Sequence, residues 1–155
     1  MQLIIRQIHK HLLKSKKKLA VAESCTGGFL SYLLTSISGS SQYFILGVVV
    51  YSNPAKTSLL GIPAFLIAQK GAVSGEVALH LANAVRKLAK TDFGIGITGI
   101  AGPGGGTRDN PKGTVFIAVV SRKQRRCQKF KFCGQRNAIR KAASLRALKL
   151  LKSII

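Results

Sequence analysis

Acidic side chains are nearly missing from this chain. Four Asp and Glu stand against 25 Lys and Arg, a formal net charge of +21 over 155 residues. Such an imbalance bears on solubility, on attraction of small anions and on contact with nucleic acid or membrane surfaces, and not on fold. Cysteine is scarce too: three residues, an odd count with no CxxC. That argues against a disulfide framework or a zinc site and fits a reducing compartment. The three histidines, His9, His11 and His80, build no ligand set with so few carboxylates, so no metal is expected. Spacing leaves a Ser-His-Asp triad open, but nothing supports one. The longest apolar run, 43–51, is far shorter than the roughly 20 residues of a spanning helix. The start of the chain has spaced apolar residues followed by a basic run, which is not the shape of a signal peptide. Tryptophan is absent, and the first apolar stripe lacks the Trp or Phe of an interfacial helix. A cytoplasmic protein with no membrane contact is the expectation.

What remains is apolar and periodic. Hydrophobic residues make up 46% of the chain, enough for a sizeable core in a single domain over 1–155. Leu3, Ile4, Ile8 and Leu12 recur at helical spacing over 1–17. A short buried strand at 19–22 leads to a helix over 26–36. The β-branched and aromatic run 43–51 reads as a strand. Ser52-Asn53-Pro54 opens a short helix to Leu60, and 63–70 forms another. Over 73–90, Val77, Leu81, Ala84, Val85 and Leu88 mark an amphipathic helix with Ser74 as its N-cap. A strand at 93–98, a Gly-rich loop at 99–111, a strand at 114–120, a basic turn at 122–126, an edge strand at 127–132 and a closing helix at 136–154 follow. Strands alternating with helices, then a late hairpin, predict a three-layer α/β/α sandwich. Its sheet is mixed and mainly parallel, with a late antiparallel hairpin.

Two stretches carry chemistry. Ala22-Glu23-Ser24-Cys25-Thr26-Gly27-Gly28 joins a strand to a helix. A hydroxyl there can act as a nucleophile beside peptide N–H groups that hold an oxyanion, or Ser24 or Thr26 can simply cap the helix. Cys25 is a rival nucleophile because a helix start lowers a thiol pKa, but it has no histidine partner. The second stretch, Tyr51-Ser52-Asn53-Pro54-Ala55-Lys56, puts a phenol at a strand end and a lysine one turn into a helix. A lysine made neutral by burial and nearby cations can take a proton from serine; a solvated surface lysine cannot. Gly94-Ile95-Gly96-Ile97-Thr98-Gly99 matches GxGxxG as a string only. Its glycines fall inside a strand, and no acid follows at the required distance. The loop 99–107 lacks the GK[ST] of a phosphate-binding loop, though so many glycines permit close backbone approach to a ligand.

Read together, AESCTGG at 22–28, SGSS at 38–41, VVYSNPAK at 49–56, KGAVSGEVA at 70–78, GITGIAGPGGGT at 96–107 and PKGTVFIAV at 111–119 resemble the CinA C-terminal domain family, which includes nicotinamide-nucleotide amidases. The resemblance implies an amidohydrolase that converts nicotinamide mononucleotide to nicotinate mononucleotide and ammonia, with no cofactor and no metal. It places the nucleophile on Ser24, the catalytic lysine on Lys56 and the strand-end tyrosine, a possible proton relay, on Tyr51. Supporting polar residues fall on Ser41 and Thr98, and the phosphate partner on Arg136. Oxyanion donors are expected among the N–H groups of Thr26, Gly27 and Gly28, with the Thr98 hydroxyl as a further candidate. Glu23 is left to orient a neighbour or to face the pyridinium ring. The partners implied are a pyridine mononucleotide and a second copy of the chain in a homodimer. Nucleic acid on the basic surface is the alternative, as a binding protein with a secondary site. The extra N-terminal domain of longer CinA proteins is not in this sequence, so the pyrophosphatase activity tied to that domain is not expected.

Overall fold

The computed structural model describes residues 2–155. Its elements are α1 (Gln2–Ser15), β1 (Leu19–Glu23), α2 (Phe29–Thr35), a 3-10 turn (Ser40–Gln42), β2 (Phe44–Val49), α3 (Asn53–Leu60), α4 (Ala64–Lys70), α5 (Gly75–Leu88), β3 (Phe93–Gly99), β4 (Thr114–Val120), β5 (Arg125–Lys131) and α6 (Arg136–Lys152). The strands form one sheet in the order β2-β1-β3-β4-β5. β1 pairs in parallel with both β2 and β3, while β3-β4 and β4-β5 are antiparallel. The expected mixed sheet with a late hairpin is therefore present, flanked by helices on both faces.

Alternation along the strands decides which helices cover which face. Leu19 and Val21 of β1, Ile95 and Ile97 of β3, and Val115, Ile117 and Val119 of β4 share one core with α1, α2 and α6. Ala20 and Ala22 point the other way, into a second core with Val77, Leu81 and Val85 of α5 and with Leu60 of α3. Small residues on this second face let α5 lie close to the sheet. A Cβ on Gly94 would stand 2.0 Å from the Ala82 carbonyl oxygen, and one on Gly96 would stand 2.3 Å from that of Ala78. Gly94 and Gly96 of the GxGxxG string thus serve helix-on-strand packing, while Gly99 lies against Thr114 and Val115 of the neighbouring strand.

Boundaries moved where backbone geometry overrode periodicity. The helix expected from residue 26 begins at Phe29. Gly27 and Gly28 adopt positive φ angles of 56° and 92°, which interrupt helical geometry. In α1 the buried stripe is Ile5, Ile8 and Leu12, and Leu3 is 70% exposed. In α5 the expected inward Leu88 is exposed, while Ser74 caps the helix as predicted, accepting from the Val77 N–H. β5 starts two residues earlier than expected. Among the described residues no helix is long and apolar enough to cross a membrane.

Candidate active site

The chain leaves β1 for β2 on one side, and β3 lies on the other. The carboxyl end of β1 is thus a topological switch point, the place where open α/β sheets form their binding crevice. The residues placed there are Ser24, one past β1, with Tyr51 after β2 and the Gly-rich loop after β3. Ser24 continues the ladder by one bond, its N–H donating to the Ile97 carbonyl at 3.0 Å. Its own carbonyl accepts from the Gly27 N–H at 3.0 Å, which closes a tight turn.

The chain spends Glu23, not Ser24 or Thr26, on capping α2. The fully buried Glu23 carboxylate accepts from the N–H groups of Gly28 (3.0 Å), Leu30 (3.1 Å) and Ser31 (2.8 Å), and from the Ser31 hydroxyl (2.7 Å). No side chain at the α2 cap position makes a capping bond. Both Glu23 oxygens are thus engaged by main-chain donors and a serine of the turn and of α2. Two of the three N–H groups expected as oxyanion donors have acceptors within the protein. The Gly28 N–H belongs to Glu23 and the Gly27 N–H to Ser24. Among the described residues, the N–H groups of Cys25 and Thr26 have no acceptor on another residue. The Thr26 hydroxyl is buried without a partner.

Lys56 is 2% exposed, in the second turn of α3. The sequence folds it inward because Ser52 caps α3, accepting from the Ala55 N–H at 3.2 Å, with Pro54 in the first turn. Burial lowers the Lys56 pKa from the ordinary value of 10.5, and the Cys25 thiol nearby opposes this. Its Nζ donates to the Tyr51 carbonyl oxygen at 3.3 Å. Lys56 and Ser24 share no hydrogen bond in this geometry. The Tyr51 phenol points elsewhere and accepts from Arg136 Nη2, so the relay through Tyr51 is not the arrangement found. Arg136 Nη1 in turn donates to the Gly102 carbonyl at 2.6 Å. Tyr51, Arg136 and the Gly-rich loop thereby line a cleft of about 180 Å³, together with Cys25 and residues Gly99 to Gly102. Ser24, 7% exposed, and Lys56 are not in that lining.

Burial pushes the Cys25 thiol up to about 12, with Glu23 adding to the rise, while its own N–H, Lys56 and Arg136 pull it down. The thiol stays protonated at neutral pH and is a poor nucleophile. Two expected residues take other positions. The Thr98 hydroxyl donates to the Ala72 carbonyl at 2.7 Å, so it ties β3 to the loop before α5 and has no proton left for an oxyanion. Ser41 is exposed in the 3-10 turn that enters β2, at the opposite end of a six-residue strand, roughly 20 Å from the crevice within this chain. Sequence reasoning missed Arg140. From α6 its Nε donates to the Thr26 carbonyl at 3.0 Å and its Nη2 to the Gly27 carbonyl at 3.4 Å. The only sequence signal was its spacing, four residues beyond Arg136, which places both on one helix face.

Two of the larger grooves elsewhere, of about 430 and 460 Å³, are lined mainly by aliphatic residues with a few polar and basic ones and contain no serine or cysteine. No group of three or more His, Cys, Asp or Glu that could hold a metal occurs among the described residues.

Comparison with known proteins identifies the family and the fold. The family model described as "CinA C-terminal domain" matches residues 2–155. A CinA-like protein of Geotalea daltonii is 47% identical over 139 residues, covering 90% of this chain and 34% of the relative. One from Syntrophus aciditrophicus is 49% identical over 142 residues, covering 91% and 34%. The chain thus spans about a third of the length of the curated relatives it matches. Among solved structures, the competence/damage inducible protein CihA of Agrobacterium tumefaciens superposes with a TM-score of 0.96 at 34% identity, covering 99% of this chain and 94% of that one. A CinA superfamily protein of Escherichia coli gives 0.94 at 29% identity, covering 98% and 88%. The chain belongs to the CinA C-terminal domain family.

Proposed function

We propose that the chain is an amidohydrolase of pyridine mononucleotides that converts nicotinamide mononucleotide to nicotinate mononucleotide and ammonia. The observation that carries this reading is the division of labour at the end of β1. Glu23 does the capping that Ser24 would otherwise do, and a buried lysine of lowered pKa stands next to the same turn. Ser24 Oγ attacks the carboxamide carbon while neutral Lys56 takes the hydroxyl proton. The developing oxyanion is held by the free N–H groups of Cys25 and Thr26. The C–N bond breaks as Lys56 returns its proton to the departing nitrogen, which leaves as ammonia. Water then cleaves the acyl-serine ester and yields the carboxylate. Lys56 moves from the Tyr51 carbonyl toward Ser24 when substrate binds, since catalytic hydrogen bonds commonly tighten only in the substrate complex. Arg136 supplies the exposed cation for the phosphate and exchanges its phenol and carbonyl acceptors for phosphate oxygens.

The test is ammonia release from nicotinamide mononucleotide by the purified protein beside Ser24→Ala and Lys56→Ala. Both variants are expected to lose at least about 1000-fold in kcat, in line with removal of a member of a nucleophile-base pair. Activity that survives Ser24→Ala rejects the serine mechanism.

A further inference from the structure

The turn that follows Ser24 contains two consecutive glycines, both at positive φ, with no side chain to lock either. Left alone, such a segment samples many conformations, and the N–H groups before it would not keep one direction. Two charged side chains hold it, one by N–H groups and one by carbonyls. The Glu23 carboxylate takes N–H groups at its far end, those of Gly28, Leu30 and Ser31. The Arg140 guanidinium takes the carbonyls of Thr26 and Gly27, which belong to the two peptide planes directly after the one that carries the Thr26 N–H. Arg140 Nη1 also donates to Asn137 Oδ1 at 3.1 Å, so the guanidinium is engaged by the protein at all three nitrogens. The fit is close: a Cβ on Gly27 would lie 3.3 Å from Arg140 Nη2.

We propose that Arg140 is a positioning residue for the reaction at Ser24: by gripping the Thr26 and Gly27 carbonyls it keeps the N–H groups of Cys25 and Thr26 aimed at the oxyanion. The proposal rests on the reading of Ser24 as nucleophile. It separates Arg140 from Arg136, which sits one turn earlier, is exposed, and reaches the cleft rather than the turn. A misplacement of donors by even 1 Å costs about 100-fold in rate. Loss of Arg140 therefore acts on the transition state and leaves ground-state binding alone.

The experiment compares wild type, Arg140→Ala and Arg140→Lys by ammonia release from nicotinamide mononucleotide and by the rate at which a fluorophosphonate labels Ser24, followed by intact mass. Arg140→Ala is expected to lose about 100-fold in kcat with KM changed less than about threefold. Its labelling rate falls in parallel, and the midpoint of its pH profile stays in place because Lys56 is untouched. Added guanidinium ion restores part of the alanine variant's rate, and the lysine variant retains part of it. A wild-type kcat in Arg140→Ala overturns the proposal, as does a rise in KM at unchanged kcat. So does a loss that neither lysine nor guanidinium relieves, which marks a support of folding only. Wild type that is labelled at Ser24 but releases no ammonia rejects the substrate reading, and Arg140 is then judged on labelling alone. Wild type that is neither labelled nor active overturns both.

Discussion

At the scale of single residues, the proposed chemistry turns on Lys56. Its ammonium is taken out of water with only a main-chain carbonyl for company, so the neutral form gains ground and its pKa falls below 10.5. A general base must be neutral. Activity is therefore expected to rise with pH and to level off with a midpoint below 10.5. A kcat/KM profile that is flat or falling from neutral to alkaline pH counts against Lys56 as the base. The same burial makes a stability statement. Between the lowered value and 10.5 the unfolded chain binds more protons at this position than the folded chain, so stability rises with pH there. Lys56→Met is expected to remove that slope and to be more stable than wild type at neutral pH. Denaturant titrations at several pH values measure the difference between the two. The comparison between variants is needed because the Cys25 thiol, raised from 9.0 to about 12, contributes a slope of opposite sign at alkaline pH.

At the scale of elements, the contact of α5 with β3 sets where the site can be. Gly94 and Gly96 face α5, and at both positions the space for a Cβ is filled by the helix's own backbone. Backbone cannot rotate out of the way as a side chain can, so Gly96→Ala must push α5 away from the sheet. Overpacking of this kind costs about 1–3 kcal/mol. The expected result is a lower urea midpoint at unchanged m-value for Gly96→Ala. An unaltered midpoint would mean that the helix-to-sheet spacing relaxes freely. α5 also carries the loop that accepts from Thr98 and Asn110 at its start, through the carbonyls of Ala72 (2.7 Å) and Val73 (3.1 Å). The close packing thereby reaches the rim of the crevice.

At the scale of the whole molecule, the +21 charge is nearly unneutralised. The ion pairs formed are Lys17–Asp92 at 2.8 Å and Lys70–Glu76 at 3.7 Å among the described residues, and the buried Glu23 carboxylate is engaged by main-chain N–H groups and a serine. β5, at one edge of the sheet, carries Arg125, Arg126, Lys129 and Lys131, while β2 at the other edge carries no charged side chain. A field of this sign draws an anionic mononucleotide toward the protein. kcat/KM for such a substrate is expected to fall as ionic strength rises, with kcat nearly constant, because screening shortens the reach of the field to about 8 Å at physiological salt. Stopped-flow or steady-state rates over a salt series check this, and rates indifferent to salt rule out steering.

The sequence by itself determined the order and type of the elements, because hydrophobic spacing, Ser74, Pro54 and the Gly-rich turns act over a few residues. It also singled out Ser24 and Lys56, whose neighbours in the chain are unusual. It left open whether Ser24 was a cap, and it did not show which peptide N–H groups of the turn are already engaged or which partners Tyr51 and Thr98 take. Those depend on hydrogen bonds between distant parts of the chain. Arg140 reaches Thr26 across 114 residues and Arg136 reaches Tyr51 across 85. A peptide N–H is the same group at every position, and only the tertiary structure decides which of them are spent. Here Glu23 and Ser24 spend those of Gly27 and Gly28, and the two left over, on Cys25 and Thr26, stand directly after the serine.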